Sequence, residues 1–309
     1  HGSNSGSAYI FGRDQGGADA WGQVAKLTAS DGASDDHFGS PVSISGDTVV
    51  VGAVYDDDSG SDSGSAYVFG RDQGGADAWG QVAKQPAPLA LTARGDLFGV
   101  SVAADGHTVV VGAIYDDDNG SYSGSSYVFS RDHGGADSWG QVAKLTASDG
   151  AIWDNFGRPV SISGDTVVVG AHWDDDNGTD SGSAYVFSRN HGGDDTWGHV
   201  AKLTASDGAG YDYFGSSVSI SGDTVVVGAL YDDDNGSNSG SAYIFSRDQG
   251  GADAWGQVAK LTASDGATYD VFGNSVSISG DTVVVGAYQD DDHGSNSGSA
   301  YIFGRDQGG

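Results

Sequence analysis

The dipeptide Phe-Gly returns at Phe38, Phe98, Phe156, Phe214 and Phe272, in steps of 60, 58, 58 and 58 residues, and nothing else in the chain constrains its fold as strongly. Trp21, Trp79, Trp139, Trp197 and Trp255 keep nearly the same step, as do five VVVGA runs beginning at Val49, Val109, Val167, Val225 and Val283. A period of this length means that one supersecondary unit is repeated and buries its apolar surface against copies of itself. The repeat predicts segments 38–97, 98–155, 156–213, 214–271 and 272–309. Residues 1–37 then supply two strands that complete the last unit, within one domain.

In the copy from Phe214 to Ala267, four short runs are rich in β-branched or aromatic residues and are bounded by Gly, Ser or Asp, which is the composition of strands. They are A (Ser217–Ser221), B (Thr224–Ala229), C (Ser241–Phe245) and D (Trp255–Leu261), with Gly222-Asp223 as a tight hairpin between A and B. Strand B is continuously apolar, so burial on both faces is expected; A, C and D alternate and require one covered face. A four-stranded antiparallel meander per unit points to an all-β fold, a β-propeller of five such units, with an open, non-closed array of the same units as the alternative. Helical solenoids are excluded by 53 Gly and by acids that are all Asp, a turn and cap residue.

Phe-Gly at the start of A, Val-Gly-Ala at the end of B and Gly-Ser-Ala-Tyr-Val-Phe in C together resemble the FG-GAP repeat of integrin α-subunit propellers, and the bacterial FG-GAP proteins more closely still. The resemblance covers essentially the whole chain. It implies a propeller at an extracellular surface, a role in adhesion or architecture, and calcium binding; it implies no enzyme. One departure stands out. The calcium loop of the integrin-type unit lies between A and B, where this chain has only the short Gly222-Asp223 turn.

Lys and Arg number 13 against 43 acids, a net charge of -30 that disfavours nucleic acid and anionic membranes as partners and attracts cations. No apolar run approaches the ~18 residues of a spanning helix. Because successive antiparallel strands reverse direction, the B-to-C and D-to-A loops emerge on one face of each unit. The B-to-C loop carries an Asp triplet whose first and third members are the candidate calcium ligands: Asp56 and Asp58, Asp116 and Asp118, Asp174 and Asp176, Asp232 and Asp234, Asp290 and Asp292. The D-to-A loop adds a pair such as Asp207 with Asp212. The bland alternative is a solvated acidic rim whose Asp side chains cap turns.

Asn119, Asn177 and Asn235 each open an Asn-Gly-Ser/Thr sequon and are glycosylation candidates. Trp173 and Tyr231, beside the acidic loops, are candidates for stacking on a sugar, which would make the chain a carbohydrate-binding propeller with one shallow site per blade. The five Lys of the VAK segments and the Arg closing each strand C read as solvated stems. Arg94-Gly95-Asp96 lies in the one divergent linker and carries little weight. Near-identical units supply near-identical environments, so no carboxylate pair is split into acid and base and catalysis is not expected.

His1 to Gly17 repeats letter for letter as His293 to Gly309. This echo leaves one C strand surplus. An excerpt of a longer array, strand pairing with a neighbouring molecule, and a frayed end are the three accounts open. The expected function is a non-enzymatic extracellular structural or adhesive repeat protein, stabilised by calcium, with self-association or another extracellular protein or glycan as partner.

Overall fold

The computed structural model describes residues 2–73, 75–88 and 95–305, and they contain strands and turns without helix. They form two compact units, His1–Asp116 with Tyr127–Lys144, and Asp117–Ser126 with Leu145–Gly309. The first holds β1 (Ala8–Gly12), β2 (Gly22–Leu27), β3 (Phe38–Ser45), β4 (Thr48–Ala53), β5 (Ser65–Gly70) and β6 (Gly80–Pro86). It also holds β7 (Ser101–Asp105), β8 (Thr108–Ala113) and all but the ends of β9 (Ser125–Ser130) and β10 (Gly140–Leu145). The second holds β11 (Val160–Ser163), β12 (Thr166–Ala171), β13 (Ser183–Arg189), β14 (Trp197–Leu203), β15 (Phe214–Ser221), β16 (Thr224–Ala229), β17 (Ser241–Ser246), β18 (Gly256–Leu261), β19 (Phe272–Ser279), β20 (Thr282–Ala287) and β21 (Ser299–Gly304).

Strands β3–β6, β7–β10, β11–β14 and β15–β18 are four-stranded meanders in chain order, with every described pairing antiparallel, as the A-B-C-D reading requires. β1–β2 form a two-stranded sheet and β19–β21 a three-stranded one. The opening C and D strands therefore make their own sheet instead of completing the last blade. Among the described residues the sheets do not close, which is the open-array form of the fold.

Each sheet stacks on the next within its unit. In the second, Val168, Ala184 and Val186 of one sheet pack with Phe214, Val225, Val227, Tyr243 and Phe245 of the following one, while Val226 and Ala242 turn to the sheet after. Strand B is buried along its length in the interior sheets, as expected. Strand C departs from the one-face expectation: β5 is buried at every position, because both faces of its sheet are covered by neighbours.

The alternating serines of strand A have a structural reason. Strand A is a sheet edge, and edges carry unpaired amides. Ser219 and Ser221 Oγ accept the N–H groups of Ile278 and Gly280, both at 3.1 Å, and Ser161 and Ser163 do the same for Ile220 and Gly222. The glycines of the repeat mark a second seam. A Cβ on Gly228, in strand B, would lie 2.0 Å from the carbonyl oxygen of Gly273, the Phe-Gly glycine of the next repeat. Gly273 itself sits at φ +89, where an L side chain is strained. The Phe of the dipeptide fills the core: the Phe214 ring meets Tyr243 and Phe245 edge-on at 5.4 and 5.9 Å.

Candidate functional site

The most elaborate polar arrangement sits where strands B, C and D meet the acidic loops, and its parts follow from register. Tyr185 of strand C lies directly opposite Lys202 of strand D, so their side chains share a face and the ammonium rests 5.1 Å from the ring centroid. Strand B ends at Ala171, whose carbonyl accepts the Asp174 N–H at 3.2 Å, and this turn directs the first Asp of the triplet inward. Asp174 is buried. Its Oδ1 accepts the Asp176 N–H at 3.1 Å and the Ser183 hydroxyl at 3.0 Å.

Its Oδ2 faces the tyrosine and the lysine. The Tyr185 hydroxyl lies 2.8 Å from both Asp174 Oδ2 and Asp149 Oδ1, so its proton serves two carboxylates. Lys202 Nζ donates to Asp149 Oδ2 at 2.7 Å and Asp174 Oδ2 at 3.0 Å, and also reaches Asp176. Two other repeats are near copies. Lys260 gathers Asp207 at 2.7 Å, Asp232 at 3.0 Å and Asp234, beneath Tyr243; Lys84 gathers Asp31 at 2.8 Å, Asp56 at 3.0 Å and Asp58, beneath Tyr67.

Two repeats differ. In the second, Lys144 holds Asp116 at 2.8 Å, and Tyr127 donates to the same carboxylate. Leu91, outside the described residues, occupies the sequence position of Asp149 there. In the last, Tyr301 lies 2.9 Å from both Asp265 and Asp290, and Asp290 accepts the Asp292 N–H.

The electrostatics agree with the geometry. Burial opposes the charge of Lys202, but hydrogen bonds to Asp149, Asp176 and Asp174 more than reverse this and raise its pKa to about 12. Burial likewise pulls the Asp149 carboxyl upward, and the hydrogen bonds from Lys202 and Tyr185 overcome it, leaving the group below its usual value. Burial first, then the charge of Asp174, pushes the Tyr185 hydroxyl far up, so it remains a donor.

The carboxylate oxygens of Asp149, Asp174 and Asp176, and those of Asp207, Asp232 and Asp234, lie within 4.8 Å of one another, and each group could hold a metal ion. A lysine ammonium already occupies each point of convergence. Calcium takes roughly six to eight oxygens; three carboxylates and one tyrosine hydroxyl converge here. The VAK lysines Lys84, Lys144, Lys202 and Lys260 are thus internal counter-ions, whereas Lys26 is the expected solvated stem, lying over the Tyr9 ring. The strand C arginines also stack: Arg247 lies 4.8 Å from the Trp255 ring and Arg189 5.2 Å from Trp197.

The shared face of the two acidic loops is seen directly, since Asp207 and Asp232 meet through Tyr243 and Lys260. Asp212 does not join them. It is buried and accepts the Ala209 N–H at 2.6 Å, as Asp154 does from Ala151; burial raises both carboxyls to about 6. The middle Asp of each triplet caps its own loop, Asp175 accepting the Asp180 N–H and Asp117 the Tyr122 N–H, both at 2.8 Å. Asp118 is exposed. Asn119, Asn177 and Asn235 are exposed on these loops, each with its N–H bonded to a serine hydroxyl at 3.1 Å. Trp173 lines a cavity in the third repeat, whereas Tyr231 packs on Tyr213 at 5.1 Å in a tilted contact. Of Arg94-Gly95-Asp96, the Arg lies outside the described residues, and Asp96 is buried.

Sequence reasoning missed the Tyr and Lys partners. Their signal was present: Asp174, Tyr185 and Lys202 keep the spacing of Asp232, Tyr243 and Lys260, so a buried acid and a base recur together. No curated protein matches the chain. The family model described as FG-GAP repeat matches residues 21–69, 79–129, 139–187, 197–245 and 255–303, each match running from the Trp that precedes strand D to the second aromatic of the next strand C. Those segments take in the Lys, the Phe-Gly pair, the acidic loop and the Tyr of every cluster, and on that evidence the chain belongs to the FG-GAP repeat family.

Proposed function

We propose that this chain is a non-enzymatic structural and adhesive repeat protein of the cell exterior, in which lysine–aspartate–tyrosine locks recur along the chain and the repeats stack into a scaffold. The observation that carries this reading is the lysine–aspartate–tyrosine cluster. In three clusters a lysine and a tyrosine take up the carboxylates in nearly the same geometry, so these recurring acids are engaged as charge and hydrogen-bond partners of the fold. An extracellular place is supported by the family resemblance and by the acidic surplus. Sequons at Asn119, Asn177 and Asn235 lie on exposed loops where a glycan has room.

Calcium acts, in this reading, only by competing with a lysine. Self-association is supported by apolar surface left open beside the two-stranded opening sheet, which has no strand A: Ile44 on β3 is 60% exposed, while its counterparts Ile162 and Ile220 are buried. Sedimentation of the wild-type chain and of Ile44→Asp, with calcium or with chelator, tests the proposal. Higher assemblies that Ile44→Asp disperses are expected, with little dependence on calcium. A strictly monomeric wild type whose melting rises sharply with calcium would falsify it.

A further inference from the structure

Where the second repeat meets the third, the loops differ from their counterparts elsewhere in the chain. A cavity of about 330 Å³ is lined by Trp153, Trp173, Tyr213, Asp175, Thr179 and Asp180, with Ile152 at its edge. This is the low end of the range for small-molecule sites, ~300–1,000 Å³. Every residue named belongs to the second compact unit. The positions that carry Trp153 and Trp173 hold Tyr211 and Tyr231 one period on, Tyr269 and Gln289 two periods on, and Asp35 and Tyr55 two periods back. Two tryptophans coincide only here.

Trp153 is 53% exposed and Ile152 58%, an unusual apolar pair in loops otherwise made of Asp, Gly and Ser. Tyr122 stacks on the Trp153 ring at 4.3 Å, which holds the indole in place and leaves its other face for a ligand. His172 braces the opposite wall, edge-on to Trp173 at 5.3 Å and to Tyr213 at 6.1 Å. Burial, and then the charge of Arg158, lowers its pKa to about 4, so this wall stays uncharged at neutral pH. Asp175 and Asp180 supply the polar side. Asp175 Oδ1 takes the Asp180 N–H at 2.8 Å. No ion pair is found for either carboxylate among the described residues, in contrast to Asp174 beside them.

We infer that this cavity is a saccharide site, one per chain, which takes a neutral pyranose by stacking its C–H face on the tryptophans and accepting its hydroxyls on Asp175, Asp180 and Thr179. A pyranose presents both surfaces at once, an apolar face and a rim of hydroxyl donors. Anionic sugars are excluded by the two carboxylates. An organic cation suits an enclosed aromatic box bearing acid, but this dish is open on one side. The site is therefore single, in place of the one-per-blade arrangement expected from the recurrence of loop aromatics. It is independent of the scaffold proposal, since assembly is read by sedimentation and binding by titration.

The test is tryptophan fluorescence and calorimetric titration of the whole chain with a panel of neutral methyl glycosides, and with choline as the cationic arm. The expected result is one binding event per chain for at least one glycoside, weakened at least tenfold in Trp153→Ala and in Trp173→Ala. Asp175→Asn keeps an oxygen acceptor for the Asp180 N–H and loses only the charge, so it reports on hydroxyl binding in a loop that still closes. Trp21→Ala, an exposed tryptophan far along the chain, serves as the control and leaves binding unchanged. Three outcomes overturn the inference: no glycoside binds, binding survives both tryptophan replacements, or choline alone binds.

Discussion

Replacing Lys202 by Met keeps the aliphatic stem that covers the Tyr185 ring and removes only the ammonium. The cost is set by what the ammonium leaves behind. Asp149 and Asp176 are 45% and 48% exposed, and pairs of that kind contribute about 0.2–1 kcal/mol each. Asp174 is 4% exposed, and removing the partner of a buried charge costs about 3–5 kcal/mol. Tyr185 and Ser183 still hydrogen-bond Asp174 in the variant, which brings the expected loss to about 3 kcal/mol. For a cooperative unit of this size, 1 kcal/mol corresponds to about 2–4 °C, so Tm falls by about 6–12 °C. Urea denaturation followed by tryptophan fluorescence reads the loss directly. Asp176→Asn is the comparison and costs under about 1 kcal/mol. Lys202→Met/Asp174→Asn recovers part of the loss, because the buried charge is gone. Calcium stabilises Lys202→Met more than wild type, since three carboxylates then face an empty centre. If Lys202→Met loses under about 0.5 kcal/mol, or Asp176→Asn costs as much as it does, the lysine is not the counter-ion that holds the repeat.

Acid should stabilise before it destabilises. Asp154 and Asp212 have folded pKa values raised to about 6, so stability grows as pH falls from 7 through 6 toward the unfolded value of ~3.9. Asp149 and Asp207 are lowered, so their contribution is present above that value and lost below it. Urea midpoints at several pH values should therefore peak in the mildly acidic range, and Asp154→Asn should flatten the rise and gain about 1–3 kcal/mol at neutral pH. A monotonic fall from pH 7 downward would contradict this. Gly228→Ala places a methyl 2.0 Å from a backbone oxygen that cannot rotate away, so two sheets must part, at a cost of roughly 1–3 kcal/mol or more. Gly222→Ala is the control: its Cβ meets nothing, so only the strain of φ +57 counts. Limited proteolysis should open the first variant sooner than the second, and equal protection would remove the glycine seam from the account.

Strand identities were readable because each depends on local pattern. Thr224–Ala229 is strand B to the residue, and Gly222-Asp223 is its hairpin. The common face of the acidic loops followed from strand parity alone. Burial of strand C on both faces was not readable, because alternation in Ser241–Ser246 reports one sheet, while the second cover comes from a neighbour about 58 residues away. Lys202 looked like a solvated stem for the same reason. Its partners Asp149 and Asp174 lie 53 and 28 residues back, and only the sheet register places it opposite Tyr185. Asp207 and Asp212 look alike in sequence, yet one faces the lysine and the other closes its own turn on Ala209. The cavity at Trp153 needed the loop of Ile152 and Trp153 from one repeat and two loops, those of Trp173 and Tyr213, from the next, a juxtaposition that no short window of sequence contains.

The contact between Gly228 and Gly273 has a consequence for how such a gene can change. Two glycines meet there through backbone alone, and the serine hydroxyls of strand A bond to amides, so neither seam asks which side chains the neighbouring repeat carries. Unequal crossing-over that adds or deletes a whole repeat brings together two surfaces that already fit. Such a gene can change length in steps of one module without any compensating mutation, while loops such as the one bearing Trp153 diversify separately.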